Sequence, residues 1–151
     1  MPISQVDGTV HCNKLWCTGI RKGILMEVTM KTIALIAHDG KKVDMVAWAT
    51  FNRHKLEEYH LVATNTTGKL LEEKVGLHVE RVLSGPHGGD AQIAARVAQG
   101  EINGVIFLLD PLDKHPHDPD IQTLLRVCNV HNVPLATNIA TADLIISAES
   151  L

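Results

Sequence analysis

The chain has 151 residues, 45% hydrophobic and 21% charged, with a formal net charge of −3. That fits one globular domain able to bury roughly 68–70% of its unfolded surface, and it argues against a basic nucleic-acid face. Aromatics are 3%, too few for stacked bases, no apolar run approaches the roughly 18 residues of a membrane span, and the odd set Cys12, Cys17 and Cys128, with no C-x-x-C pair, points to a reducing cytoplasm rather than a disulfide framework.

Residues 1–30 show no sustained period and no apolar stretch of secretory length, so they read as an N-terminal extension of unclear role ahead of a domain over 31–151. His11, Cys12 and Cys17 have no second ligand pair at zinc-site spacing. Residues 31–37 are almost continuously apolar and predict a strand covered on both faces. A helix is expected over 41–54, with Val43, Val46, Ala47 and Phe51 at helical spacing. Residues 60–63 form a second strand, the turn Thr64 to Gly68 follows it, and 69–75 reads as a helix stopped by Gly76. The third strand, 77–83, leads into the glycine-rich turn Ser84-Gly85-Pro86-His87-Gly88-Gly89-Asp90, where the next helix opens. Ile93, Ala94 and Val97 form its stripe and Gly100 its C′ glycine. A fourth strand over 104–109, a helix marked by Ile121, Leu124, Leu125 and Val127, a fifth strand over 133–136 and a helix over 141–147 complete the pattern. Strand and helix alternate five times, which implies a three-layer α/β/α fold on a parallel sheet with right-handed crossovers. Ligands of such sheets bind beyond the carboxyl ends of the strands, where the strand order reverses.

The unusual residues cluster at that edge: His38-Asp39, Thr64 to Gly68, Ser84 to Asp90, Asp110-Pro111 with His117-Asp118-Pro119-Asp120, and Thr137-Asn138. The opposite turns carry ordinary caps and charges. Three threonines at a helix start, Thr64, Thr66 and Thr67, suit a phosphate better than a plain N-cap, and Lys42 is placed to reach the same anion. Asp90 either caps its helix or serves as a base. His38 is either a satisfied core histidine or part of the site. His115, His117 and the neighbouring aspartates form either an acid–base group or a metal site.

Taken together, these segments closely resemble the methylglyoxal synthase family. They are Ile36-Ala37-His38-Asp39, Lys42, Ala63-Thr64-x-Thr66-Thr67-Gly68, Leu83-Ser84-Gly85-Pro86-x-Gly88-Gly89-Asp90, Asp110-Pro111-Leu112, Pro116-His117-Asp118-Pro119-Asp120 and Ala136-Thr137-Asn138-x-Ala140-Thr141-Ala142-Asp143. The resemblance implies sheet order 3-2-1-4-5 and a cofactor-free, metal-free lyase that turns dihydroxyacetone phosphate into methylglyoxal and inorganic phosphate. It implies that Asp90 removes a proton, that His117 shuttles protons, and that Asp120, Asp39 and His38 shape the hydrogen-bond network. Lys42, Thr64, Asn65, Thr66, Thr67, Ser84 and Gly85 would hold the phosphate. It also implies an allosteric homohexamer inhibited by phosphate, with no nucleic-acid or membrane partner. Two departures stand out. Asn65 replaces a common glycine and is expected to tolerate positive φ. No arginine matches the one that longer members bring to a neighbouring active site. On the residues alone, two other readings stay open: a regulatory module like the effector-binding domain of carbamoyl phosphate synthetase, and a metal-dependent phosphate-ester hydrolase.

Overall fold

The computed structural model describes residues 29–148 and Leu151. The expected extension, with His11, Cys12 and Cys17, lies outside these residues except for Thr29 and Met30. Five parallel strands, β1 (Thr32–Ala37), β2 (His60–Thr64), β3 (Glu80–Val82), β4 (Gly104–Leu108) and β5 (Leu135–Ala136), pair in the order β3-β2-β1-β4-β5. This is the alternating fold and the strand order expected from the sequence.

β1 is apolar from Ile33 to Ala37 because it is covered on both sides there. Ile33, Leu35 and Ala37 pack on one face with Met45, Trp48 and Ala49 of α1 (Lys42–Phe51), Leu56 of α2 (Arg53–Leu56) and Ile146 of α6 (Ile139–Ser147). Ala34 and Ile36 face the other way, with Ile93 and Val97 of α4 (Gly89–Ala98) and Leu124 of α5 (Asp118–Val130). Each fully buried Ile or Leu contributes about 1.5–3 kcal/mol to this arrangement. Cys128 lies in the second layer, 1% exposed, and burial pushes its thiol up to about 11.

The structure corrects several local readings. The stripe Val43, Val46, Ala47 and Phe51 is not the inward face of α1: Val43 is 80% and Phe51 83% exposed. The chain leaves β1 through a 3-10 turn, Asp39–Lys41, which brings Met45, Trp48 and Ala49 onto the sheet instead. The Trp48 indole Nε1–H donates to Asp143 Oδ1 at 2.7 Å and fastens α1 to α6. Residues 65–68 are not a loop but the first turn of α3 (Asn65–Leu70), entered through Thr64 and continued by a π-helical turn, Leu71–Val75, that stops at Gly76 with φ 75°. Asn65 is therefore helical and has no need of positive φ. β3 is shorter than 77–83 because it lies at the sheet edge with one neighbour, although Leu77 and Val79 are buried.

Between β3 and α4 the chain makes a 3-10 turn, Gly85–His87, and passes through Gly88 at φ 98°. A Cβ on Gly89 would sit 1.9 Å from the Leu83 carbonyl oxygen. Gly89→Ala is therefore expected to destabilise the protein by about 3 kcal/mol or more, read as a lowered thermal midpoint by circular dichroism. A midpoint within 2 °C or so of the parent would show that this approach is not needed.

Candidate active site

Four of the five strand ends turn toward one cavity of about 80 Å3. His38, Asp39 and Lys42 come from the end of β1, Thr64 and Thr66 from β2, Gly85 and Asp90 from the turn after β3, and His117 from the loop after β4. The floor is the switch point, where the His38 N–H donates to the Leu108 carbonyl at 3.2 Å and joins β1 to β4. Thr137 and Asn138, at the fifth strand end, line a separate cavity with Lys41 and Pro111.

Asp90 occupies the first turn of α4 and is 0% exposed. It makes no capping bond, and neither carboxylate oxygen has a hydrogen-bond partner among the described residues. A helix start favours a negative charge, but burial without partners outweighs it and pushes the Asp90 carboxyl above the usual carboxylate range. His117, whose Nε2 lies 3.3 Å from Asp90 Oδ2, pulls it back, and the charge of Asp120 pushes it up again. A Cβ at Gly85 would lie 3.1 Å from His117 Nε2 and 3.2 Å from Asp90 Oδ2. The bare Cα there keeps open the space beside the acid and the histidine.

His38 is 6% exposed. Its Nδ1 accepts the Asp110 backbone N–H at 2.9 Å. Nδ1 is therefore the unprotonated nitrogen, and the neutral ring carries its proton on Nε2. Nε2 is buried with no partner among the described residues. Burial first, then the charges of His115 and His117, lower the His38 pKa to about 4. The site thus holds a neutral imidazole N–H donor and an unpartnered carboxylate on facing turns.

Lys42 stands at the anion end of the cavity, its Nζ paired with Asp39 Oδ1. The hydrogen bond from Lys42 holds the exposed Asp39 carboxyl below its usual range. Thr64 donates its hydroxyl to Thr67 Oγ1 at 3.2 Å, and Thr67 is buried beneath the cavity rather than in its wall. Thr66 lines the wall at the first turn of α3. Asn65 and Ser84 do not line this cavity. They border a neighbouring one of about 590 Å3 with Arg81 and His87, and Ser84 Oγ pairs with His87 Nδ1 at 2.7 Å. Asp120 also stays out of the wall, half-buried on the first turn of α5, close enough for its charge to act on Asp90.

Sequence reasoning missed Asp113 as a wall residue and read His115 as part of either an acid–base group or a metal site. Its ring instead stacks on His38. The signal was the His115-Pro116-His117 spacing, since neighbours two apart in a proline-stiffened segment tend to share a side. Among the described residues no group of three or more His, Cys, Asp or Glu is arranged to hold a metal ion.

A family model for the MGS-like domain matches residues 44–137. The methylglyoxal synthase of Clostridium botulinum (strain Alaska E43 / Type E3) is 58% identical over 114 residues, covering 76% of this chain and 96% of that protein. A methylglyoxal synthase of Thermus thermophilus is 58% identical over 118 residues, 78% of this chain and 94% of that one. The crystal structure of methylglyoxal synthase from Elizabethkingia anophelis superposes with a TM-score of 0.75 at 50% identity, covering 80% of this chain and 79% of its own. Sheet order, the cavity at its switch point and these identities converge: the chain belongs to the methylglyoxal synthase family.

Proposed function

We propose that the protein converts dihydroxyacetone phosphate to methylglyoxal and inorganic phosphate, with Asp90 as the base. The observation that carries this is the Asp90 carboxylate, fully buried, without a partner among the described residues, in the wall that also holds the threonine-rich turn. The raised pKa makes it a stronger base than an ordinary carboxylate.

In the first step the C3–H bond breaks. The proton goes to Asp90 and the electron pair forms the C2–C3 double bond, leaving an enediolate. His38 offers Nε2–H to the oxygen where negative charge develops, as a neutral donor that does not itself lose a proton. In the second step the enediolate electrons form the C3 carbonyl and a C1–C2 double bond as the C1–O bond breaks, and the phosphate departs with that bonding pair. That bond must overlap the enediolate π system, so the phosphate grip is a positioning device. Lys42, Thr64, Thr66 and the N–H groups of the first turn of α3 make up the grip, with Thr67 bracing Thr64 from below. Asp39 holds Lys42 in place. Gly85 admits the substrate between Asp90 and His117, and Asp120 keeps Asp90 basic. His117, beside Asp90, relays the proton that completes the methyl group. Asn65 and Ser84 shape the outer wall of the phosphate turn from the neighbouring cavity.

Inorganic phosphate, the leaving product, fits the same grip and is proposed to inhibit. The family resemblance supports a cytoplasmic, allosteric homohexamer, and the exposed Val43, Phe51 and Leu144 supply apolar surface for contacts between copies. Among the described residues no helix is long and apolar enough to cross a membrane.

Chelator-treated protein given dihydroxyacetone phosphate is expected to release methylglyoxal and phosphate in equal amounts; no methylglyoxal, or turnover only with added metal, rejects the reading. Asp90→Asn is expected to lower kcat at least about 1,000-fold, within the scale set by loss of an essential acid–base group. The same change removes a buried charge. A carboxyl whose pKa is raised on folding stabilises the fold below its unfolded pKa and loses that contribution as pH rises through the folded pKa. Asp90→Asn is therefore expected to raise Tm by about 2–4 °C at pH 7 and above, with the gain fading as pH falls toward the usual carboxylate range. A lower Tm at neutral pH would contradict the burial argument. Lys42→Met is expected to raise KM about 10- to 100-fold, the scale of one charge-assisted hydrogen bond, and an unchanged KM would remove Lys42 from the phosphate grip.

A further inference from the structure

We propose that His115 is a positioning residue for this reaction: its ring, lying face to face on His38, holds the His38 imidazole in the single orientation that presents Nε2–H to the substrate. The proposal rests on the function proposed above and assigns that site a residue its acid–base and phosphate groups do not include.

The two rings have centroids 3.5 Å apart and planes inclined by 28°. Both are moored to the backbone of one residue. The Asp110 N–H donates to His38 Nδ1 at 2.9 Å, and the Asp110 carbonyl accepts from His115 Nε2 at 3.4 Å. His38 also meets Phe107 edge to face, centroids 5.0 Å apart and planes at 77°. Phe107 is 0% exposed and belongs to the core, so it is a fixed wall. His115 comes from the loop after β4 that holds Pro111 and Pro116.

The slot matters because a flipped imidazole would turn a carbon toward the Asp110 N–H and strand that donor. It would also take the Nε2 proton away from the cavity. Without the His115 ring, His38 keeps its edge contact with Phe107 and loses the ring that lies on its face. His117, two residues along the same loop, meanwhile points Nε2 toward Asp90. One short segment therefore braces the donor with one histidine and attends the base with the other.

Charge adds to the packing. The groups facing His38 are His115, His117, Asp110 and Asp118, with Asp39, Lys42, Asp90 and Asp113 in the same cavity wall. The two histidines oppose its protonation, and Asp110 and Asp118 favour it. A ring at position 115 that lacks charge retains the packing and drops one of these effects.

The test compares His115→Phe, which keeps a flat ring over His38, with His115→Ala, which removes it. The readouts are kcat, KM and the NMR shifts of the His38 ring nitrogens. His115→Ala is expected to lower kcat about 10-fold or more with KM changed less than about 3-fold, since a donor misaimed at developing charge costs the transition state more than the ground state. The His38 nitrogen shifts should move from the Nε2–H pattern toward an average of the two tautomers. His115→Phe is expected to keep kcat within about 3-fold and the Nε2–H pattern intact. Unchanged kcat and nitrogen shifts in His115→Ala would overturn the proposal, as would equal losses in both variants with the His38 shifts unmoved. Should His115→Ala not fold, His115→Leu takes its place with the same readouts. Should the parent protein release no methylglyoxal, the reading of function fails, while the nitrogen shifts still decide whether His115 holds His38.

Discussion

The structure depends on keeping one carboxylate dry and unmatched. Burying such a group without a counter-charge costs several kcal/mol, and proteins usually avoid it by pairing or by exposure. Here the α4 helix start, the absence of a side chain at Gly85 and the tight passage at Gly89 put Asp90 where neither remedy is offered. His117 gives partial relief at 3.3 Å without a hydrogen bond that would neutralise the acid. The rest of the fold, with two apolar layers on β1, supplies the stability against which that cost is set.

The sheet divides the task. The end of β1 contributes the neutral donor His38 and the cation Lys42, the end of β2 the threonines, and the turn after β3 the buried carboxylate of Asp90. Because these groups come from separate strands, their spacing is set by the register β1 keeps with β2 and β4 and β2 keeps with β3, not by any one flexible loop. The Asp110 backbone then fixes which nitrogen of His38 bears the proton. Chemistry of this kind needs donors aimed in advance, and main-chain groups at strand ends are the least mobile available.

Much of this was legible in the chain. Alternating apolar runs and glycine stops gave five strands in a parallel sheet, and the concentration of His, Asp, Thr and Gly at one set of turns marked the edge that carries the cavity. What escaped had physical causes. Val43 and Phe51 share helical spacing just as Met45, Trp48 and Ala49 do, and the direction in which a 3-10 turn delivers the helix decides between the two stripes. Sequence reasoning starts this helix at Lys69, since Thr and Gly are weak helix formers, whereas α3 begins at Asn65 and is carried by its continuation into Leu71–Val75 and its buried residues. Motif membership put Ser84 and Asn65 with the phosphate grip, but side-chain direction, which spacing does not encode, turns them to the neighbouring cavity. His115 was hidden because stacking on His38 is a meeting of residues 77 positions apart (115 − 38).

Cys128 takes on a meaning of its own once the product is considered. A compound with two adjacent carbonyls is an electrophile, and thiolates add to it more readily than thiols do. Cys128 is shut within the layer between β4 and α5 at 1% exposure, and its thiol, pushed up to about 11, stays protonated across ordinary pH. The helix that begins beside the site at Asp118 thus holds this one sulfur away from an electrophile released from the cavity.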